Sequence, residues 1–212
     1  MSITIAAIVA DLNDDLNKSE SGSTLSTAML KAFSRGLRWL SRRARWSCLH
    51  ASKEDYAIVN ATEYIAEPDN FRELDAIVVN DGSDDSAPLD EMSFSAWLEY
   101  REDETTADYD EPEKYAHRLK RFYLHPIADG SYTGKLWYWK WHPAIEAADD
   151  TILFTDEFYD AVLAAVESAY LEGKGQLAKS QYYKVRAEEE VGDLRPQHED
   201  RKPGRVKYHD MG

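Results

Sequence analysis

Carboxylates are the most concentrated reactive side chains of this sequence, and they lie in one window. Residues 67–113 contain 17 of them against two cations, Arg72 and Arg101, whereas the rest of the chain holds 23 acids and 23 bases. The window therefore carries the whole net charge of −15. A catalytic carboxyl needs an apolar pocket that raises its pKa, and this polar window offers none. Like charges repel in a compact chain, so we expect the window to face water or a polyanion that must not bind.

The other reactive residues give little support to metal or nucleophile chemistry. The single cysteine, Cys48, can form neither an intrachain disulfide nor a thiolate zinc site. The six histidines lack the H-x-x-x-H spacing of a helical metal site. The segment from Asp81 to Asp85 lacks the alternation and the final glutamate of a calcium loop. We therefore predict no catalytic residue, no metal and no cofactor.

Three tryptophans alternate along one strand pattern, Trp137, Trp139 and Trp141, which places them on one face of the strand. If exposed, this face could stack sugars or unpaired bases. If buried, it is the inner face of a small sheet, which we favour because large exposed apolar patches are rare in soluble chains. A carbohydrate- or single-strand-binding module and a cell-wall-degrading enzyme remain the alternative functions.

Four arginines share roughly one face of a helix near the N-terminus. They can contact the acids of a neighbouring subunit or phosphates, or they can form a solvated basic face. Both interpretations stay open on the sequence alone. The four residues are Arg35, Arg38, Arg42 and Arg45.

The hydrophobic periodicity predicts helices at both ends of the chain and strands between them. Apolar residues recur at three- and four-residue spacing in a helical block at 2–45, after an N-cap at Ser23 or Thr24, and again in a long helix at 155–191. Gly173 and Gly175 predict a kink or break in that helix. The block at 46–145 reads as strand, starting with the apolar run Trp46–His50.

The clearest predicted hairpin joins a strand at 117–125 to a strand at 132–141 through a turn at Asp129-Gly130. It would place His117 opposite His142. The predicted fold is α+β: a helical bundle with an inserted small antiparallel β module, in one domain at 1–191. The polar residues 192–212 should form a flexible, extended C-terminal arm. The chain has no basic segment before its first apolar run, so we expect a soluble protein made in a reducing cytoplasm.

The order of these features resembles the head-to-tail adaptor (connector) proteins of tailed bacteriophages. The resemblance rests on Trp46–Leu49, on Tyr64–Leu74, on the strand Phe122–Pro126, on the aromatic strand Leu136–Pro143 and on the helix that opens with Phe158–Val162. It covers residues 2–190. Its motifs are packing and turn motifs rather than catalytic signatures.

The resemblance implies a structural virion protein at the head–tail junction, assembled in the host cytoplasm. Such adaptors form a ring, commonly of twelve copies, beneath the portal protein. They extend the channel through which double-stranded DNA passes without specific binding, and they dock a tail, stopper or nozzle protein. No membrane takes part. The four arginines named above become subunit-contact candidates.

The C-terminal arm of such adaptors typically reaches the portal, which gives the portal-contact candidates Arg195, Arg201, Lys202, Arg205 and Tyr208. An acidic lining would repel DNA phosphates and let DNA slide. The residues that could line or flank the channel are Asp81, Asp84, Asp85, Asp103 and Glu104. The outer rim of the ring is the alternative position for this loop.

Overall fold

The computed structural model describes residues 3–16, 25–80 and 87–198, except for the side chain of Glu54. The fold is α+β, as predicted. The helices are α1 (Ile5–Leu16), α2 (Thr27–Arg43), α3 (Phe94–Asp103), α4 (Tyr159–Gly173) and α5 (Leu177–His198). The strands are β1 (His50–Ile58), β2 (Tyr64–Ala66), β3 (Phe71–Asn80), β4 (Asp90–Glu91), β5 (Lys114–Arg118), β6 (Arg121–His125) and β7 (Tyr132–Lys140).

The chain divides into two compact units. The helical unit comprises the described residues up to His50 and from Trp141 onward, and the β unit comprises Ala51–Lys140. Seven of the candidate site residues lie outside the described residues: Asp81, Asp84, Asp85, Arg201, Lys202, Arg205 and Tyr208.

Helix α2 forms where the apolar spacing predicted it. Its N-cap is Ser26 rather than Ser23 or Thr24, and the Ser26 hydroxyl oxygen accepts a hydrogen bond from the Met29 N–H group at 3.3 Å. This bond satisfies one of the amide groups that a helix start leaves unpaired. The apolar face of α2 is fully buried and packs against α4.

Helix α4 is the centre of the helical unit. Every residue from Ala161 to Leu171 is buried, and α4 packs against α1, α2 and α5. The two helices α2 and α4 approach so closely that a Cβ atom on Gly36 would lie 2.9 Å from the backbone of Ala165. Glycine at this position therefore sets the spacing between the two helices.

The long helix predicted at 155–191 is two helices, because the chain breaks where the glycines indicated. The Lys174 N–H group bonds to the carbonyl oxygens of Tyr170 and Leu171, and Gly175 has a φ of +74°. Helix α5 then continues to His198, past the residue at which we expected an extended arm to begin. The reason is packing, since Leu194 contacts the core of the helical unit.

The β unit contains two sheets. One has the strand order β1-β7-β3, and the other has the order β2-β6-β5-β4. The β2–β6, β5–β6 and β3–β7 pairs are antiparallel, whereas β4 and β5 are parallel. Both sheets contribute to one apolar core, whose fully buried members are Ile58, Ile77, Val79, Phe122, Leu124, Ala128 and Leu136.

The predicted hairpin between 117–125 and 132–141 is wrong. Strand β6 pairs with β5 through the two-residue turn Leu119-Lys120, and β7 pairs with β3 in the other sheet. His117 therefore faces Phe122 in the register, not His142. The apolar run at 46–50 is also not a strand, since Ser47–Leu49 forms a 3-10 turn before β1 begins.

Candidate protein-interaction site

Helix α2 presents three of the four predicted arginines on its exposed face. Arg35, Arg38 and Arg42 follow the helical spacing and point away from the buried face. The guanidinium carbons of Arg38 and Arg42 lie 5.3 Å and 5.7 Å from the centre of the Trp141 ring. Such cation–π contacts orient both side chains. Arg45 lies beyond the end of α2 and is half-buried.

A groove of about 660 Å³ runs beside these arginines, between α2, α4 and α5. Small residues line the groove: Gly36 from α2, Ala165 and Ala169 from α4, and Ala187 from α5. The short side chains of Ala165, Ala169 and Ala187 leave space that larger side chains would fill, whereas Gly36 lets α2 approach α4 closely. We call this cavity the basic groove.

Two buried serines fix the width of the basic groove. The Ser168 hydroxyl donates to the carbonyl oxygen of Ser180 at 3.0 Å, and the Ser180 hydroxyl donates to that of Ser168 at 2.9 Å. Reciprocal bonds of this kind hold α4 and α5 at one distance. The groove is therefore a preformed feature of the helical unit.

The lining of the basic groove combines positive charge with apolar surface. Four cations line it (Arg35, Arg38, Arg42 and Lys184), against the single carboxylate of Glu172. In the described part of the chain, no ion pair engages these four cations. Leu177 also lines the groove and has a 67% exposed side chain. The groove suits a ligand with several carboxylates and one apolar group. Its α5 wall was not apparent from the sequence.

The end of α5 docks on the end of α2. Arg195, a portal-contact candidate, donates a hydrogen bond to the carbonyl oxygen of Arg43. The Arg43 side chain pairs with Glu188 at 2.8 Å and stacks on the Trp39 ring, with its guanidinium carbon 4.1 Å from the ring centre. Arg195 is exposed and lies in the last turn of α5, three residues before the helix ends at His198.

The acidic candidates at the end of α3 have different surroundings. Asp103 is exposed. The Glu104 side chain is only 4% exposed, and its carboxylate accepts a hydrogen bond from the Ile127 N–H group at 3.0 Å. It also lies 4.0 Å from the His125 ring. Glu104 therefore holds the loop after α3 onto the β unit, and of these two residues Asp103 is the one that is exposed.

The tryptophan strand is not an exposed stacking surface. Trp139 is 2% exposed, while Trp137 and Trp141 are half-buried. The favoured interpretation of this face as the inner face of the sheet is also wrong, because the residues of β7 in the core of the β unit are Leu136 and Tyr138 on its opposite face. The structure thus disfavours a carbohydrate- or base-binding module on this strand.

The sequence did not indicate that one carboxyl group, that of Glu167, is buried. Glu167 is fully buried in α4, and burial raises its pKa to about 8, with a hydrogen bond to the Asp15 carboxyl as the next cause. A raised pKa in a cleft is typical of a catalytic acid. Glu167, however, lines neither the basic groove nor the cavity of about 630 Å³ that Asp15, Tyr170 and Tyr183 help to line. Its place inside an apolar helical core indicates a structural role.

The described residues contain no group of three histidine, cysteine or carboxylate side chains that could hold a metal ion. None of their helices has both the length and the apolar composition needed to cross a bilayer.

The model of the SU10 adaptor protein family matches residues 3–207. The chain belongs to this family. These are head-to-tail adaptors of bacteriophages, so the resemblance seen in the sequence is confirmed. No curated protein matches the chain. The adaptor is therefore a structural protein of a phage, from a family that interacts with portal and tail components at the virion neck.

Proposed function

We propose that this adaptor forms a ring beneath the portal of the filled capsid, extends the DNA channel and docks the tail. Family membership over 3–207 is the observation that carries the proposal. The helical unit acts as a bundle that forms the wall of the ring, with about twelve copies as the commonest number for such adaptors. The protein then works by shape and surface charge and catalyses no reaction.

The C-terminal arm is the proposed contact with the portal. In this proposal the arm begins after α5 ends at His198, close to Arg195, which donates a hydrogen bond to the end of α2. The cations beyond this point, together with Tyr208, supply several contacts at once. Several contacts are needed because ordering a flexible segment costs binding free energy.

The β unit supplies the proposed repulsive surface of the channel. Residues 51–140 carry 21 carboxylates and 9 lysines or arginines, a net charge of −12. A ring repeats this charge in every copy, and duplex DNA carries one negative charge per ~1.7 Å of its axis. Repulsion keeps DNA from sticking during ejection. We assign this role to Asp81, Asp84 and Asp85.

Electron microscopy of the adaptor mixed with purified portal tests the proposal. We expect particles with one added ring below the portal. Reversing the charge of three arm residues (Arg201→Glu, Lys202→Glu and Arg205→Glu) should abolish the added ring. Reversing Lys31 and Lys179, which are exposed on the helical unit, should preserve it. Portal particles that never gain a ring, or turnover of cell-wall glycan by the purified protein, would contradict the proposal.

A further inference from the structure

We propose that the basic groove of one copy binds the outer face of helix α3 of a second copy. The inference rests on the proposed ring, and it names the surfaces that join neighbouring subunits. It makes the contact head-to-tail, because the groove belongs to the helical unit and α3 belongs to the β unit. Head-to-tail contacts close into rings when the rotation between copies allows it.

Helix α3 has an outer face of matching composition. All of its exposed residues except Tyr100 follow the three- and four-residue spacing of one helical stripe. The stripe carries one leucine and three carboxylates, and the Leu98 side chain is 42% exposed. Its members are Ser95, Leu98, Glu99, Glu102 and Asp103.

The inner face of α3 fixes the direction in which this stripe points. Trp97 is buried, and its indole N–H group donates to the carbonyl oxygen of Leu124 at 2.9 Å. The Phe94 ring stacks on the Trp97 ring at 5.4 Å between centres. The Arg101 guanidinium pairs with the Glu63 carboxylate at 2.7 Å. The helix cannot roll on the β unit, so the acidic stripe is presented rigidly.

Charge and shape fit across the proposed contact. The three carboxylates of α3 meet the four cations of the groove, while Leu98 meets the apolar surface of Leu177 and Trp39. A ten-residue helix spans about 15 Å, and laying one apolar side of a helix into a groove is a common mode of recognition. Complementary charge mainly sets the register and the rate of such an encounter.

Duplex DNA is the competing ligand for a basic groove. Two features favour the acidic helix. The groove contains exposed leucine surface, which a phosphate backbone does not use, and the chain as a whole carries −15, which opposes DNA. The experiment separates the two ligands.

A charge swap between two variants tests the contact. The groove variant is Arg38→Glu with Arg42→Glu, and the helix variant is Glu99→Arg with Glu102→Arg. Sedimentation velocity in about 0.05 M salt, where screening is weak, measures association over a range of concentrations. We expect wild-type adaptor to self-associate and each variant alone to associate about tenfold more weakly.

An equimolar mixture of the two variants should restore association. Each groove then meets a helix of opposite charge, so copies alternate. A control variant, Lys31→Glu with Lys179→Glu, changes the charge as much as the groove variant and should associate as wild type does. Failure of the mixture to recover, or absence of self-association in the wild type, overturns the contact. So does wild-type binding of a 30-base-pair duplex that the groove variant loses.

The ring on the portal separates the two proposals. If wild-type adaptor adds a ring to the portal while the mixed variants do not, the ring stands and the groove contact is wrong. If no ring forms with any protein, the proposed function itself fails.

Discussion

The substitution Glu167→Gln should remove a large part of the pH dependence of stability. Glu167 lies in the middle of α4 with no exposed surface, and burial is the main cause that raises its pKa to about 8. The nearby Asp15 carboxyl of α1 raises the pKa of Glu167 further. Asp11 acts in the same direction, whereas Arg186 of α5 lowers the pKa. At neutral pH the folded protein therefore keeps a proton on Glu167.

The magnitude follows from the difference between folded and unfolded chains. An unfolded glutamate titrates near 4.5 and the folded one near 8. Because the folded state binds the proton more tightly, this contribution to stability is complete below pH 4.5 and is lost as the pH rises to about 8. Each unit of the pKa shift corresponds to ~1.36 kcal/mol, so about 2.5 kcal/mol is lost between pH 5 and pH 7.

Urea unfolding at several pH values, followed by circular dichroism, measures this loss. Glutamine keeps the shape of the side chain and stays neutral. The difference in unfolding free energy between the variant and the wild type should therefore grow in favour of the variant by about 2.5 kcal/mol from pH 5 to pH 7. Glu172→Gln removes an exposed carboxylate from the same helix and controls for the loss of one charge. A difference that stays constant over this range would refute the reasoning.

Three further predictions concern stability, each measured by urea or thermal unfolding. Gly36→Ala forces a methyl group against the backbone of α4 and should destabilise the folded protein by about 1–3 kcal/mol. Gly192→Ala places its methyl group in open space on α5 and should stabilise the folded protein by about 0.5–1 kcal/mol. Equal effects of the two substitutions would contradict the close packing of α2 on α4. Ser41→Ala leaves a buried backbone N–H group without its acceptor and should cost about 1–3 kcal/mol, more than an exposed serine replacement. Replacing Leu119-Lys120 by Asn-Gly should stabilise by about 1–2 kcal/mol, because both residues have positive φ; a loss of stability would show that the leucine itself is needed.

Local patterns predicted the helices well, and long-range pairing explains what they missed. Helix α2 and the break near residue 174 depend on residues close together in the sequence, namely the apolar spacing of α2 and the two glycines. Both features could therefore be predicted. The β6–β7 hairpin was not. The Asp129-Gly130 signal is strong, but the turn that forms a hairpin is Leu119-Lys120, whose residues rarely adopt positive φ. Tertiary packing overrode the local preference there.

The candidate site also has a part that the local sequence predicted and a part that it did not. The exposed stripe of Arg35, Arg38 and Arg42 followed from helical spacing alone. The groove beside it did not, because its other wall is α5, more than 130 residues further along the chain. Glu104 shows the converse error. The acidic composition of its loop predicts an exposed side chain, but Glu104 is buried. Its carboxylate accepts a hydrogen bond from the Ile127 N–H group, and only the folded chain brings these two residues together.

The two units differ in the surfaces that they can offer to a partner. Helix α4 is buried from Ala161 to Leu171, so α2 and α5 supply most of the exposed side chains that line the basic groove. The β unit carries a net charge of −12, while the basic groove of the helical unit carries an excess of three cations. If neighbouring copies in a ring were in contact through their β units, these acidic surfaces would lie together and repel each other. A head-to-tail contact places opposite charges together instead, and so reconciles a strongly acidic subunit with a closed assembly.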